Sequence, residues 1–257
     1  CLNGRCIPTK ALLKSAEVFH HLKNAKEFGV KTGGKVEADF PAMVARSRNV
    51  AESMSKGVQY LFKKNKIDLI NGFGKLKSNT IVTVTDDKKN TKDYEAKNIL
   101  LATGARSKEL PNLKQDGKKN IGYRQAMTLA KQPKSMIVVG SGAIGSEFAS
   151  FYNSIGTEVT LVEFLPRIVP LEDEEVSKQL QRSFKKAGMK VLTSSSVEAV
   201  DTSGKLCKAT VKTATGEETI EAEIVLSAVG VTPNIENIGI EELGIEVKNG
   251  KVSVDPF

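Results

Sequence analysis

The sequence contains no tryptophan, its aromatic residues amount to 5%, and it has only three cysteines in 257 residues. So few thiols exclude the disulfide-stapled class of small secreted domains. Apolar runs are short, as at 136–139 and 224–226, far below the ~20 residues that a membrane-spanning helix needs. No secretory leader is recognised, because the chain opens on Cys1 and a charged, helix-like pattern follows at once. A cysteine in place of an initiating methionine suggests a piece of something longer. With 40% hydrophobic and 26% charged residues, the composition is that of a globular protein of one or two domains.

The formal net charge is +8, with 38 basic residues against 30 acidic ones. The lysines are scattered in short clusters (Lys63, Lys64, Lys66; Lys88, Lys89; Lys118, Lys119) without interleaved aromatics. That distribution predicts a solvated basic surface, and neither a nucleic-acid partner nor a membrane. Steeply salt-dependent DNA binding is what would revive the nucleic-acid alternative.

Cys1 and Cys6 stand five residues apart, and Cys207 stands alone in a strand-like stretch at 206–213. Closing so small a ring contributes about 2 kcal/mol in the chain-entropy treatment, a poor reason for a structural staple. The spacing does not suit zinc, and His20 and His21, adjacent on a helix, point about 100° apart. A pair that opens and closes during turnover fits better, with coincidence remaining open. Pro8 suits a first helical turn, and Leu12, Leu13, Ala16 and Phe19 give an amphipathic helix to about residue 26. Cys6 then lies at a helix N-terminus, where the dipole and unpaired N–H groups favour a thiolate. Cys207 is expected to be a small core hydrophobe.

Farther along, 41–65 reads as a second helix, 67–70 as a strand and 80–85 with 93–96 as a hairpin. Residues 98–102 read as a buried strand ending in Thr103-Gly104-Ala105, and 106–120 as a polar connector. From Met136 the pattern becomes strand, glycine turn, helix, strand, then helix 173–187, strand 190–192, a meander at 196–221 and a closing strand at 223–229. Such alternation predicts an α/β fold with a parallel sheet.

Gly140-Ser141-Gly142-Ala143-Ile144-Gly145 is a G-x-G-x-x-G turn, directly after the apolar strand and opening a helix. Glu163, 23 residues beyond Gly140, ends the next strand. This context distinguishes a dinucleotide-binding βαβ unit from a chance glycine run. Gly140 permits the turn, Gly142 clears the helix N-terminus for a pyrophosphate, and Gly145 lets helix and strand approach. Glu163 can accept hydrogen bonds from ribose hydroxyls and would repel a 2′-phosphate, which favours NAD over NADP. Glu147 has no lysine nearby in its helix. It is either a surface acid or a group at the reacting end of the cofactor, paired with a cation from another segment.

Taken together, the dithiol at a helix start, the Thr103-Gly104-Ala105 turn and the NAD unit resemble the flavin-dependent disulfide reductases. Within this pyridine nucleotide-disulfide oxidoreductase family (class I) the resemblance leans to the dihydrolipoamide dehydrogenases. It is carried by Cys1-Leu2-Asn3-Gly4-Arg5-Cys6-Ile7-Pro8-Thr9-Lys10, Asn71-Gly72-Phe73-Gly74, Val162-Glu163-Phe164 and Ala228-Val229-Gly230-Val231-Thr232-Pro233-Asn234, and runs the whole length. It implies doubly wound, Rossmann-like nucleotide-binding domains: an incomplete FAD-binding domain over 1–105, a complete NAD-binding domain over 106–233, and a return into the first over 234–257. By the same resemblance Cys1 is the interchange thiol, Cys6 faces the flavin, and Lys10 pairs with Glu147. Lys10, Gly74, Thr103, Gly104 and Ala105 would touch FAD. Gly140, Ser141, Gly142, Ala143, Ile144, Gly145, Ser146, Glu147, Glu163, Val197 and Gly230 would hold NAD. No metal site is expected. Electrons would pass from dihydrolipoamide through a Cys1–Cys6 disulfide and FAD to NAD+.

The implied partner is a lipoyl-bearing protein of a 2-oxoacid dehydrogenase or glycine cleavage complex. The intact protein would be a homodimer in the cytoplasm, or in the mitochondrial matrix of a eukaryote. Two departures from the family pattern stand out: glycine comes one place early before the second cysteine, leaving Arg5 beside Cys6, and Val231 replaces a common arginine. The family's first glycine-rich turn, its later Gly-Asp flavin motif and the dimerisation domain with a His-Glu base find no counterpart here. His20 and His21 do not replace that base, so the 257-residue polypeptide alone is expected not to turn over. The rival assignments are a mercuric or glutathione reductase and a catalytically silent NAD-binding module. Glu163 and the Ile7-Pro8-Thr9-Lys10 wording argue against the NADP-dependent reductases.

Overall fold

A computed structural model describes residues 2–255, so Cys1 and the role expected of it lie outside the described residues. Contacts divide the chain into two compact units. One comprises the residues up to Val58 together with Ser107–Gly230, and the other Gln59–Arg106 together with the residues from Val231 on.

Helix α1 (Cys6–Lys23) begins at the second cysteine and buries Ala11, Leu12, Ala16 and Phe19. It ends at Asn24, whose backbone N–H donates to the His20 carbonyl at 3.1 Å, and a short 3-10 turn (Ala25–Phe28) follows. The helix is therefore a few residues shorter than the periodicity predicts. Helix α2 (Phe40–Lys64) buries Phe40, Ser47 and Ala51 on one stripe. Strands β1 (Phe73–Leu76), β2 (Ile81–Thr85) and β3 (Thr91–Glu95) form an antiparallel sheet in that order, so the expected hairpin gains a third strand. The strands predicted at 67–70 and 98–102 are not formed. Ile67, Leu69 and Ile70 are exposed, and Leu100 is 90% exposed. Their β-rich composition is real, but a strand exists only where a neighbour completes its ladder. Among the described residues no segment does so.

Strand β4 (Ala105–Ser107) precedes β5 (Asn120–Ile121), a two-residue edge strand that begins at the last residue of the segment expected to be a plain connector. The short helix α3 (Tyr123–Ala126) leads to β6 (Ser135–Val139), α4 (Ala143–Ser154), β7 (Glu158–Val162), α5 (Glu174–Lys186) and β8 (Lys190–Leu192). A meander of β9 (Ser196–Asp201), β10 (Cys207–Thr213) and β11 (Gly216–Ala222) follows, and β12 (Ile224–Ser227) closes this unit. Strands β13 (Val231–Pro233), β14 (Val247–Lys248) and β15 (Lys251–Val252) complete the chain. β13 pairs with β4 and β14 with β15.

The central sheet runs β5-β12-β6-β7-β8 and every pairing in it is parallel. Four of the five residues of β6, and four of β7, are buried, as expected when both faces of a parallel sheet are covered. Helix α4 is apolar on most of its circumference, burying Ile144, Phe148, Phe151 and Tyr152. The rings of Phe151 and Tyr152 lie 6.4 and 6.0 Å from that of Phe40, and the Tyr152 hydroxyl donates to the Ala126 carbonyl at 2.6 Å. Cys207 is fully buried among Val211, Ala209, Ala222 and Val225, as expected of a core cysteine, and burial pushes its thiol pKa up.

Helix α5 carries a full N-terminal cap: the Asp173 carboxylate accepts from the Glu175 and Val176 N–H groups, and Glu174 and Glu175 fill its first turn. Asp173→Ala is expected to lower the unfolding free energy by about 1 kcal/mol. A urea midpoint unmoved by the substitution would contradict this.

Candidate functional site

Strand order reverses between β12 and β6, because β6 is followed by β7 on one side while β12 arrives from much later in the chain on the other. Crevices at such switch points, beyond the carboxyl ends of the strands, are where α/β sheets take ligands. Two backbone turns meet there, the glycine turn after β6 and residues 228–230 after β12. The Gly140 N–H donates to the Val162 carbonyl and the Ala228 N–H to the Val139 carbonyl, each at 2.8 Å. Gly140 has φ +94°, and a Cβ there would come within 2.6 Å of the Ala228 carbonyl oxygen. A Cβ on Gly145 would lie 1.8 Å from the Gly140 carbonyl oxygen. Both glycines are thus required by close approach of backbone to backbone.

Gly142 differs, since a Cβ on it would meet nothing within 4 Å. It is the N-cap of α4, no side chain caps that helix, and no acid stands in its first turn. The contrast with α5 is chemical: one helix satisfies its first N–H groups internally, and the other presents them with the positive end of its dipole. An anion of pyrophosphate type fits this cradle. Ala143 is exposed beside Gly142, Ile144 and Ser146 are buried, and the Ser146 hydroxyl donates to the Ser141 carbonyl at 2.8 Å. Gly230, at φ +113°, also faces open space. Val197 lies deeper: its side chain belongs to the apolar core, and its carbonyl accepts from the Asn112 amide at 3.0 Å.

Glu163 is only 7% exposed. One carboxylate oxygen accepts both the Ser141 N–H (2.8 Å) and the Ser141 hydroxyl (2.6 Å), and the other accepts the Leu165 N–H (2.8 Å). The sequence identifies this acid from its spacing, but gives no signal that its neighbour Ser141, fully buried, would bind it.

The two segments expected to cooperate across sequence do meet. Lys10 of α1 and Glu147 of α4 form an ion pair through Nζ and Oε1, with side chains 65% and 28% exposed. Cys6, the first residue of α1, is disulfide-bonded, whereas Cys207 is a free thiol. The N-terminus of α1 likewise lacks a side-chain cap and a first-turn acid. Sequence reasoning missed two groups on α2: the Arg48 guanidinium donates to the Asn3 carbonyl (2.8 Å) and the Ser55 hydroxyl to the Asn3 side chain (3.0 Å). Both hold the turn just before Cys6. Their spacing of seven puts them on one helix face, a signal legible only once the partner is known.

The remaining expected residues belong to the second unit. Gly74 sits in β1 opposite Val84, and Thr103 and Gly104 are exposed, with Gly104 at φ +76°. The Thr103-Gly104-Ala105 turn is tied down by Asn234, whose backbone N–H donates to Gly104 (2.9 Å) and whose side chain donates to Thr103 (3.2 Å). Arg106 clamps Glu236 in a two-pronged pair, and its hydrogen bonds hold that carboxyl down at about 2. Among the described residues no cluster of ligands could hold a metal ion, and no helix is long and apolar enough to cross a membrane.

A glycine turn at a switch point with an uncapped helix behind it defines a dinucleotide-binding α/β protein, and the whole chain places it more closely. Residues 1–257 match the pyridine nucleotide-disulphide oxidoreductases, and the chain belongs to that family. It is 43% identical to the dihydrolipoyl dehydrogenase of Zymomonas mobilis over 258 residues, covering 100% of this chain and 55% of that protein. Against the dihydrolipoyl dehydrogenase of Chlorobaculum tepidum it is 45% identical, covering 99% and 54%. Among solved structures, LpdA from Mycobacterium tuberculosis superposes with a TM-score of 0.87 at 27% identity, covering 97% of this chain and 54% of that one. The chain thus spans about half the length of the curated relatives it matches.

The glycine geometry separates two substitutions. Gly145→Ala is expected to destabilise the fold by about 1–3 kcal/mol through overpacking against Gly140. Gly142→Ala should stay within about 0.5 kcal/mol of the parent, because its site is open and its backbone extended. Equal urea midpoints for the two variants would contradict the assignment of close approach to Gly145.

Proposed function

We propose that this chain is the dithiol- and NAD-bearing part of a dihydrolipoyl dehydrogenase, which oxidises dihydrolipoyl groups with NAD+ through a Cys1–Cys6 disulfide and FAD. The observation that carries this reading is the Lys10–Glu147 ion pair, which ties the helix of the reactive cysteine to the helix of the glycine turn. Both helices belong to one compact unit.

Bound FAD would supply two-electron chemistry between thiols and a nicotinamide. The chain's own part is exchange at sulfur and the placing of groups. A substrate thiolate attacks one sulfur of the disulfide, forming a mixed disulfide and releasing the other as a thiolate. The second substrate thiol then displaces the bound sulfur, leaving the lipoyl group as a cyclic disulfide and the protein as a dithiol. The uncapped start of α1 favours the thiolate at Cys6, and Arg5 adds a positive charge beside it. Glu147 holds the Lys10 ammonium at the junction of the two helices.

Residues 106–233 form the NAD-binding domain in this reading. Gly140 through Ser146 cradle the pyrophosphate on the N-terminus of α4, Glu163 accepts from the adenosine ribose, and Gly230 lines the crevice, while Val197 belongs to the apolar core. Residues 1–105 and 234–257 contribute to the FAD-binding domain, with Lys10, Gly74, Thr103, Gly104 and Ala105 toward the flavin. The substrate is carried by a lipoyl-bearing protein of a 2-oxoacid dehydrogenase or glycine cleavage complex. The intact protein is a homodimer of the cytoplasm or mitochondrial matrix.

Cys6→Ser in the intact holoprotein should reduce dihydrolipoamide oxidation by about a thousandfold or more, as removal of a group that acts as a unit with its partner does. NADH affinity should be unchanged within about twofold, because the crevice does not include that thiol. Undiminished oxidation by the variant would refute the proposal.

A further inference from the structure

Ser141, at the second position of the glycine turn, is wholly buried. Its hydroxyl donates to Glu163 at 2.6 Å and accepts the Val169 N–H at 3.3 Å. Its backbone N–H donates to the same carboxylate oxygen at 2.8 Å, and its carbonyl accepts the Val169 N–H and the Ser146 hydroxyl. One residue therefore joins the glycine turn, the acid at the end of β7 and the loop that follows it.

A carboxylate oxygen offers about two acceptor directions. Oε2 of Glu163 has both filled by Ser141. Oε1 has one filled by the Leu165 N–H and, among the described residues, one left. Rotation of the carboxylate would break three hydrogen bonds at once in a buried place, where an unmade bond to a charged group is costly. The free direction on Oε1 is consequently fixed in space before any ligand arrives.

We infer that Ser141 is a positioning residue for dinucleotide binding: its hydroxyl locks the Glu163 carboxylate so that Oε1 presents one pre-aimed acceptor to a ribose hydroxyl. This rests on the reading of the crevice as an NAD site, and it goes beyond that reading in assigning part of the affinity of Glu163 to the buried hydroxyl of Ser141, which is spent on that carboxylate. Ser141 acts on binding, so its loss raises the KM for NAD+ and leaves kcat in place.

The test is a double-mutant cycle in the intact holoprotein, with NADH dissociation constants measured by titration and the flavin spectrum confirming folding. Ser141→Ala should weaken NADH binding by about tenfold, the scale of one lost hydrogen bond to a charged group. In a Glu163→Ala background the same change should cost less than about twofold, since the group it positions is gone. Ser141→Cys, which keeps the shape and offers a weaker donor, should fall between parent and Ser141→Ala, and it serves if Ser141→Ala loses its flavin. An unchanged dissociation constant, or an equal loss in both backgrounds, overturns the inference. If Glu163→Ala by itself leaves NADH binding intact, the NAD reading of Glu163 fails and the inference falls with it.

Discussion

The structure of the first unit depends on one contact, the backbone of Gly145 against the carbonyl of Gly140. A Cβ at Gly145 would occupy the position of that oxygen. Only without it can α4 start directly at the end of β6 and aim its free N–H groups into the switch-point crevice. The position of Glu147, one half-turn farther on, follows from the same start. So does the depth to which Phe148, Phe151 and Tyr152 sink toward the sheet and against Phe40. The propensity cost of a glycine in a helix, roughly 1 kcal/mol against alanine, is accepted for that approach.

Charge and burial divide the labour around this contact. Helix α5, capped by Asp173 and acidic in its first turn, is a finished structural element. Helices α1 and α4 are unfinished at the same end, and these two carry the cysteine and the glycine turn. The Lys10–Glu147 pair joins them at a partly exposed place, where an ion pair contributes at most about 1 kcal/mol. Its value lies in the register it sets between the two helices.

The parallel unit was legible because its signals are local and redundant. The apolar run at β6, the glycines, the small-residue helix and Glu163 follow one another within one βαβ repeat, each consistent with the rest. The strands expected at 67–70 and 98–102 were not, since β-propensity states only that a segment would pair if a partner were present. The edge strand β5 was missed for the opposite reason: two residues, Asn120 and Ile121, are too few to show a period, and the sheet alone makes them a strand. Among site residues, spacing located Gly140, Gly142, Gly145 and Glu163. Resemblance supplied Lys10 as the partner of Glu147. The grip of Ser141 on Glu163, and of Arg48 and Ser55 on Asn3, depends on side-chain direction and tertiary approach, which no linear pattern encodes.

The account stands on reversible opening of the cysteine pair coupled to the nicotinamide crevice in the same protein. Anaerobic treatment of the intact holoprotein with NADH, followed by alkylation and peptide mapping, addresses this directly. Cys1 and Cys6 should both become alkylated in proportion to the NADH added, while buried Cys207 stays protected. Labelling confined to Cys207, or no NADH-dependent labelling at all, would contradict the account.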